Sequence, residues 1–216
     1  LIASVASVGF VEGINWLTKQ LLIAPEAREG DGLSKRLPWF TVFAPVVGGI
    51  IVGGLLLMLR GNRPQGLPDI IFAAQTGESK IPVRNGVIAS ITSFTSIGFG
   101  ASVGMYGPLA SLGALIGSQL SKLTADHRRL GVIALGCGVS SAISTAFNAP
   151  IAGVIFAHEV ILRHYSIRAF APVTISAYVS QVMATEVFQR PRLLEIGEGN
   201  IQHAYEYGAF LLVGVV

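Results

Sequence analysis

Charge is scarce in this chain. Aspartate, glutamate, lysine and arginine make up 12% of its residues while 51% are hydrophobic, and a soluble domain is nearer one quarter charged. That shortage excludes an ordinary solvated surface and argues for burial in lipid. Cysteine is scarcer still. Cys137 stands alone, which excludes an intramolecular disulfide, and its run "GVIALGCGVSSAIS" marks it as a small packing residue. The sequence has no phosphate-binding loop, no Cys/His cluster at metal-ligand spacing and no nucleophile with a recognisable base, so it does not read as an enzyme and no cofactor is expected. The formal net charge of +3 does not imply nucleic acid as a partner, because arginines in loops at a membrane boundary account for it.

The long uncharged intervals lie between Arg36 and Arg60, Arg84 and Lys122, Arg129 and Glu159, and Arg168 and Glu186. Each has room for a helix of roughly 17 to 25 residues, enough for a bilayer core about 30 Å thick. Basic residues gather at the breaks, at Arg60, Arg63, Lys122, Arg128, Arg129, Arg163 and Arg168, where interface anchors belong. The reading is an all-α, multi-pass integral membrane protein of a plasma or inner membrane, with the bilayer as its first partner. Helices are expected over 3–20, 38–60, 67–75, 82–101, 107–123, 127–145, 149–163 and 168–188, with another starting near 204.

The first apolar run, "LIASVASVGFVEGINWL", lacks a basic leader and is interrupted by Glu12, so it does not read as a signal peptide. The last, "YGAFLLVGVV", is about half a membrane span. The chain is therefore expected to be a piece of a longer protein, with residues 1–200 forming one transmembrane unit, 201–216 opening a second, and the polar stretch "GEGNIQHAYEYG" connecting them.

Residues 85–121 are uncharged throughout and too long for one straight span. They must fold as two helical pieces joined near Gly104 to Pro108, with glycine supplying the turn and proline opening the next helix. Pro68 in "QGLPDII" and Pro150 in "FNAPIAGVIF" repeat the device, with Asn148 the expected N-cap of the latter. Broken helices at membrane depth are tolerated where the freed backbone is buried in protein or lines a polar cavity. A helix starting there presents unsatisfied N–H groups and a partial positive charge, which suits a passing anion. Partial charges hold an ion and release it, whereas a fixed lysine would hold it too tightly.

Other readings of the same glycines compete. "GFGASVG" superficially matches a dinucleotide loop, with Asp126 at about the required distance, but such a loop needs a preceding strand in a βαβ unit. Gly49 and Gly53, Gly100 and Gly104, and Gly113 and Gly117 fit small-xxx-small helix contacts. None of these contacts explains a Gly-Pro turn in mid-interval.

"GMYGPLASLGALIG", followed by "STAFNAPIAGVIFAHEVI" and preceded by "QGLPDII", resembles the CLC family of chloride channels and proton-coupled chloride antiporters. Its signatures are GSGIP, G(K/R)EGP and a helix opening on FNAP. The resemblance covers the N-terminal half of such a protein. It implies a fold of two inverted halves with broken, tilted helices, a homodimer, and one anion path per subunit. Carried across, it aligns the first signature with Pro64, Gln65, Gly66, Leu67 and Pro68, so that Gln65 replaces the anion-coordinating serine. The second falls on Gly104, Met105, Tyr106, Gly107 and Pro108. Gln65, Gly66, Leu67, Met105, Tyr106 and Gly107 are thus the implied anion-binding or pore residues, and Tyr106 takes the place of the gating glutamate.

In the antiporters the helix after FNAP closes on two adjacent glutamates, the second of which passes protons. Here the pair is Glu159 and Val160. A tyrosine with a pKa near 10 does not cycle protons readily at neutral pH and valine does not at all. The leading reading is accordingly a passive anion channel for chloride or another small anion. An antiporter with substitute residues is the second, and a non-conducting membrane subunit the third. His158 is the candidate substitute because imidazole titrates near neutrality, against a structural role at a helix end. Glu159 could face a vestibule or pair with Arg163 at the four-residue spacing.

Overall fold

A computed structural model describes residues 1–21, 38–59, 66–76, 81–123, 127–163 and 166–189. Gln65, the connecting loop at 197–208, the boundary at 200/201 and the helix expected near 204 lie outside the described residues. Among the described residues every regular element is helical. They are α1 (Ile2–Gln20), α2 (Pro38–Leu57), α3 (Leu67–Thr76), α4 (Val83–Gly98), α5 (Tyr106–Ser121), α6 (His127–Phe147), α7 (Pro150–Phe156) and α8 (Ile167–Val182). Two of them continue into π-helix, α7 over Ala157–Leu162 and α8 over Met183–Val187.

The expected breaks are present. Helix α4 stops at Gly98, and Gly100 (φ 95°) and Gly104 (φ 77°) turn the chain in left-handed conformations before α5 begins. Side chains other than glycine rarely adopt such angles. Pro150 opens α7 as expected. Pro108 does not open α5, because the helix starts two residues earlier at Tyr106 and leaves the proline third in line. Its missing N–H still costs nothing there, since the first turn has no internal acceptors for it. These breaks also shorten the helices. Among the described residues Leu130–Phe147 is the one helical window long and apolar enough by itself to cross a bilayer, and Phe43–Leu57 and Pro150–Leu162 are shorter apolar pieces.

Asn148 is not an N-cap. That position belongs to Ala149, which has no side-chain cap, while Asn148 sits at φ 51°. The Ala149 N–H donates to the Ser144 carbonyl at 3.2 Å, a bond spanning five residues that is the mark of a left-handed helix end. Asparagine therefore terminates α6 rather than starting α7.

Helix α6 is the hub. Its contact with α5 is backbone on backbone: a Cβ added to Gly138 would be driven into the Gly113 carbonyl, and one added to Gly113 into the Gly138 carbonyl. Gly117 meets the Ala134 carbonyl in the same way. So the Gly113–Gly117 pair is a helix contact. Among the described residues the other two expected pairs make no such contact. An added Cβ at Gly49 or Gly53 meets nothing within 4 Å of the described residues, and Gly100 and Gly104 serve the turn. In α2 it is Gly48 that lies tight, against Phe99 at the end of α4.

On its other face α6 is joined to α8 and α1 by hydroxyls. Ser140 donates to the Val173 carbonyl (3.2 Å), Ser144 to the Ala177 carbonyl (2.7 Å), and the Ser141 and Ser180 hydroxyls hydrogen-bond to each other. Thr145 donates to Ser4 (2.9 Å), whose hydroxyl reaches the Ser180 carbonyl (3.3 Å). Interhelical bonds of this kind are worth about 0.6 kcal/mol each in a membrane protein, so their combined effect is to fix helix register. Apolar side chains fill the rest of the interior. Ile70, Leu135, Val139, Ile143 and Ile161 form one cluster, Ala157, Ala169, Val173 and Ala177 a second, and Phe10, Ile14, Leu109 and Ala146 a third.

Candidate functional site

The starts of α3 and α5 meet. A cavity of about 200 Å³ is lined by Gly66 and Leu67 from the first, Gly107, Pro108 and Ser111 from the second, and Ala89, Ser90 and Ser93 from α4. The described lining carries no charged side chain. What it does carry is two helix N-terminal ends and three serine side chains, of which Ser90 already donates its hydroxyl to the Gly86 carbonyl at 2.9 Å. Free N–H groups at a helix start and serine hydroxyls are donors suited to an anion.

The two helix starts differ electrostatically. At α3 the Gly66 N–H donates to the Asp69 carboxylate at 2.9 Å, so an acidic side chain already offsets part of that positive end. At α5 the residue before the helix, Met105, provides no side-chain cap, and the first bond within the helix runs from the Leu109 N–H to the Met105 carbonyl at 3.1 Å. Pro108 lacks an N–H altogether. The N–H groups of Tyr106 and Gly107 precede that first bond, and they are the natural donors at this end.

Of the residues singled out from sequence, Gly66, Leu67 and Gly107 line the cavity together. Met105 packs against the cluster of Phe10, Ile14, Leu109 and Ala146 instead. Tyr106 stands half-exposed beside the cavity, its ring stacked on Phe147 with centroids 4.4 Å apart and planes inclined by 14°. Ser90, Ser93 and Ser111 escaped the sequence reading. Ser90 and Ser93 are three residues apart on one helix face, a signal that was present in "ASITSFTS" but not decisive in a helix already rich in hydroxyls.

Glu159 and Val160 lie in the π-helical stretch, away from the cavity lining. Glu159 is exposed, whereas Val160 packs against the Ile70–Ile161 cluster. His158 is fully buried, its ring stacked 5.5 Å from Phe170 of α8. It is thus a packed residue inside the described fold, in the closing stretch of its helix. The expected four-residue pairing of Glu159 with Arg163 presumes an α-helix. Here the segment winds as π-helix and Arg163 leaves it at φ 54°. Among the described residues no group of three His, Cys, Asp or Glu side chains is arranged to hold a metal ion.

The family profile described as "Voltage gated chloride channel" matches residues 32–216. The chain belongs to that family. Its CLC membership makes it an integral membrane protein. Among its relatives are a putative ClcB-like chloride channel protein of Ralstonia nicotianae, 29% identical over 72% of this chain and 38% of its own length. The voltage-gated ClC-type chloride channel ClcB of Citrobacter koseri is 25% identical over 100% of this chain and 52% of its own. The ClcB of Escherichia coli strain SMS-3-5 is 24% identical, again over 100% of this chain and 52% of its own. The chain spans about half the length, or less, of these relatives.

Proposed function

We propose that the full-length protein is a passive pathway for chloride or another small anion, not coupled to protons and not an enzyme. The observation that carries this is the cavity at the converging starts of α3 and α5, lined by glycine backbone and serine hydroxyls without a charged side chain among the described residues. The lack of coupling rests on two side chains. Tyr106 and Val160 stand where the family resemblance expects the gating and inner proton glutamates, and Val160 is packed in an apolar cluster.

In liposomes loaded with chloride, the reconstituted protein should release the ion down its gradient while internal pH stays constant. Uphill proton movement driven by chloride would sink this reading in favour of the antiporter, and would make His158 the first relay to test. No chloride release at all would favour a non-conducting subunit.

We also propose that two copies associate through the outward face of α7 and α8. Ile151, Ile155, Ile167, Phe170, Ile175 and Tyr178 project outward from the described chain, an apolar stripe of the kind that lipid, the rest of the full-length protein or a second copy covers. Single cysteines at 175 or 178, in a background with Cys137 replaced, should give a dimer-sized cross-linked band, and cysteines at 50 or 57 on α2 should not. Equal lipid accessibility at all four positions would count against the dimer.

A further inference from the structure

We infer that Phe147 is a positioning residue for Tyr106: it holds the phenol against the end of α6 and so keeps it off the anion cavity. This rests on the reading of Tyr106 as the residue that controls access. The two rings are nearly parallel, 4.4 Å apart between centroids, and Tyr106 is absent from the cavity lining although the two residues that follow it, Gly107 and Pro108, are present. Tyr106 is 56% exposed, so apart from this contact its ring has ample space in which to rotate.

Phe147 is a firm shelf. It packs against two interior clusters at once, that of Leu135, Val139 and Ile143 and that of Phe10, Leu109 and Ala146. The chain beyond it is fixed as well, because Asn148 at φ 51° and the Ala149-to-Ser144 bond lock the end of α6. The tyrosine by contrast is the first residue of its helix, preceded by Gly104 at φ 77°. An exposed ring at a helix start on one side and a ring packed against two clusters on the other make Phe147 the partner that sets the resting position. Removing the stacking face releases the phenol to swing over the starts of α3 and α5.

The test is a double-mutant cycle on chloride release from liposomes containing the full-length protein. Phe147→Leu keeps most of the buried volume but loses the flat face. It should slow release by about two- to tenfold, the range that aromatic pairing allows. The same substitution in a Tyr106→Ala background should change release by less than about twofold. Phe147→Tyr, which keeps the face, should restore the unmodified rate, an outcome that a merely volumetric role would not require. Equal slowing in both backgrounds, no slowing, or faster release with Tyr106 present would overturn the inference. Tyr106→Glu separates this from failure of the underlying reading. Release that responds to pH in that variant, combined with equal slowing by Phe147→Leu in both backgrounds, removes the role of Phe147 alone. Release indifferent to pH removes both.

Discussion

Replacing Gly138 by leucine is expected to abolish the folded protein. An added Cβ at this position points into the Gly113 carbonyl with Gly117 close behind, so the obstacle is backbone and no side chain can rotate away. Overpacking of an interior commonly costs 1–3 kcal/mol when side chains give way. Here two helices would have to separate, and a loss of at least about 3 kcal/mol is expected on that scale. The full-length variant should lose its monodisperse peak on size-exclusion chromatography in detergent. Gly113→Leu should fail in the same way, because its Cβ strikes the Gly138 carbonyl. The double variant should be no worse than the sum, since one separation relieves both collisions. Gly9→Ala and Gly53→Ala, whose added methyl groups meet nothing within 4 Å of the described residues, serve as controls that should fold. A leucine at 138 that folds with unchanged stability would mean that the contact between α5 and α6 is looser than described.

That contact also shows what a sequence can and cannot disclose. Gly49 and Gly53 have the same four-residue spacing as Gly113 and Gly117, yet among the described residues only the second pair meets another helix. Spacing shows that a close approach is possible, and the partner that realises it is found elsewhere in the chain. The helix order was legible because glycine, proline and charge punctuate it, and the break at Gly104 was legible because glycine readily takes the positive φ found there and a proline follows closely. The π-helical stretches were not, since a shift to five-residue bonding is decided by the packing of neighbours such as Val160 and Ile161 rather than by local propensity. Asn148 illustrates an ambiguity of residue type. Asparagine favours both a helix start and a left-handed helix end, and the choice depends on φ, which the sequence does not state. At the candidate site, Gly66, Leu67 and Gly107 could be named in advance because helix starts have recognisable chemistry. Ser90, Ser93 and Ser111 could not, because serines like Ser140 and Ser144 serve helix packing in the same chain.

Tyr106→Glu is expected to convert a pathway nearly indifferent to pH into one closed at neutral pH and opened by acid. The side chain at this position emerges from the first residue of α5, next to N–H groups that precede the first bond within the helix. A carboxylate there competes with the anion for those donors while it is charged, and gives them up when protonated. An exposed glutamate titrates near 4.3, and the positive helix end favours its charged form. Opening should therefore have its midpoint at or below that value and be lost as pH rises through it. Tyr106→Phe keeps the stacking face against Phe147 and should change chloride release by less than about twofold, unless the phenol O–H itself assists the ion, in which case release falls. Tyr106→Ala removes the ring from every position it visits. If the ring obstructs the pathway for part of the time, release should rise by up to about tenfold, equivalent to about 1.4 kcal/mol of barrier. Measurement is by chloride electrode on liposomes at external pH values from about 3 to 8, a range that brackets the free glutamate value, with the four proteins at equal density. Four traces that coincide at every pH would show that the side chain does not reach the ion, and the half-exposed phenol on Phe147 would then be packing alone.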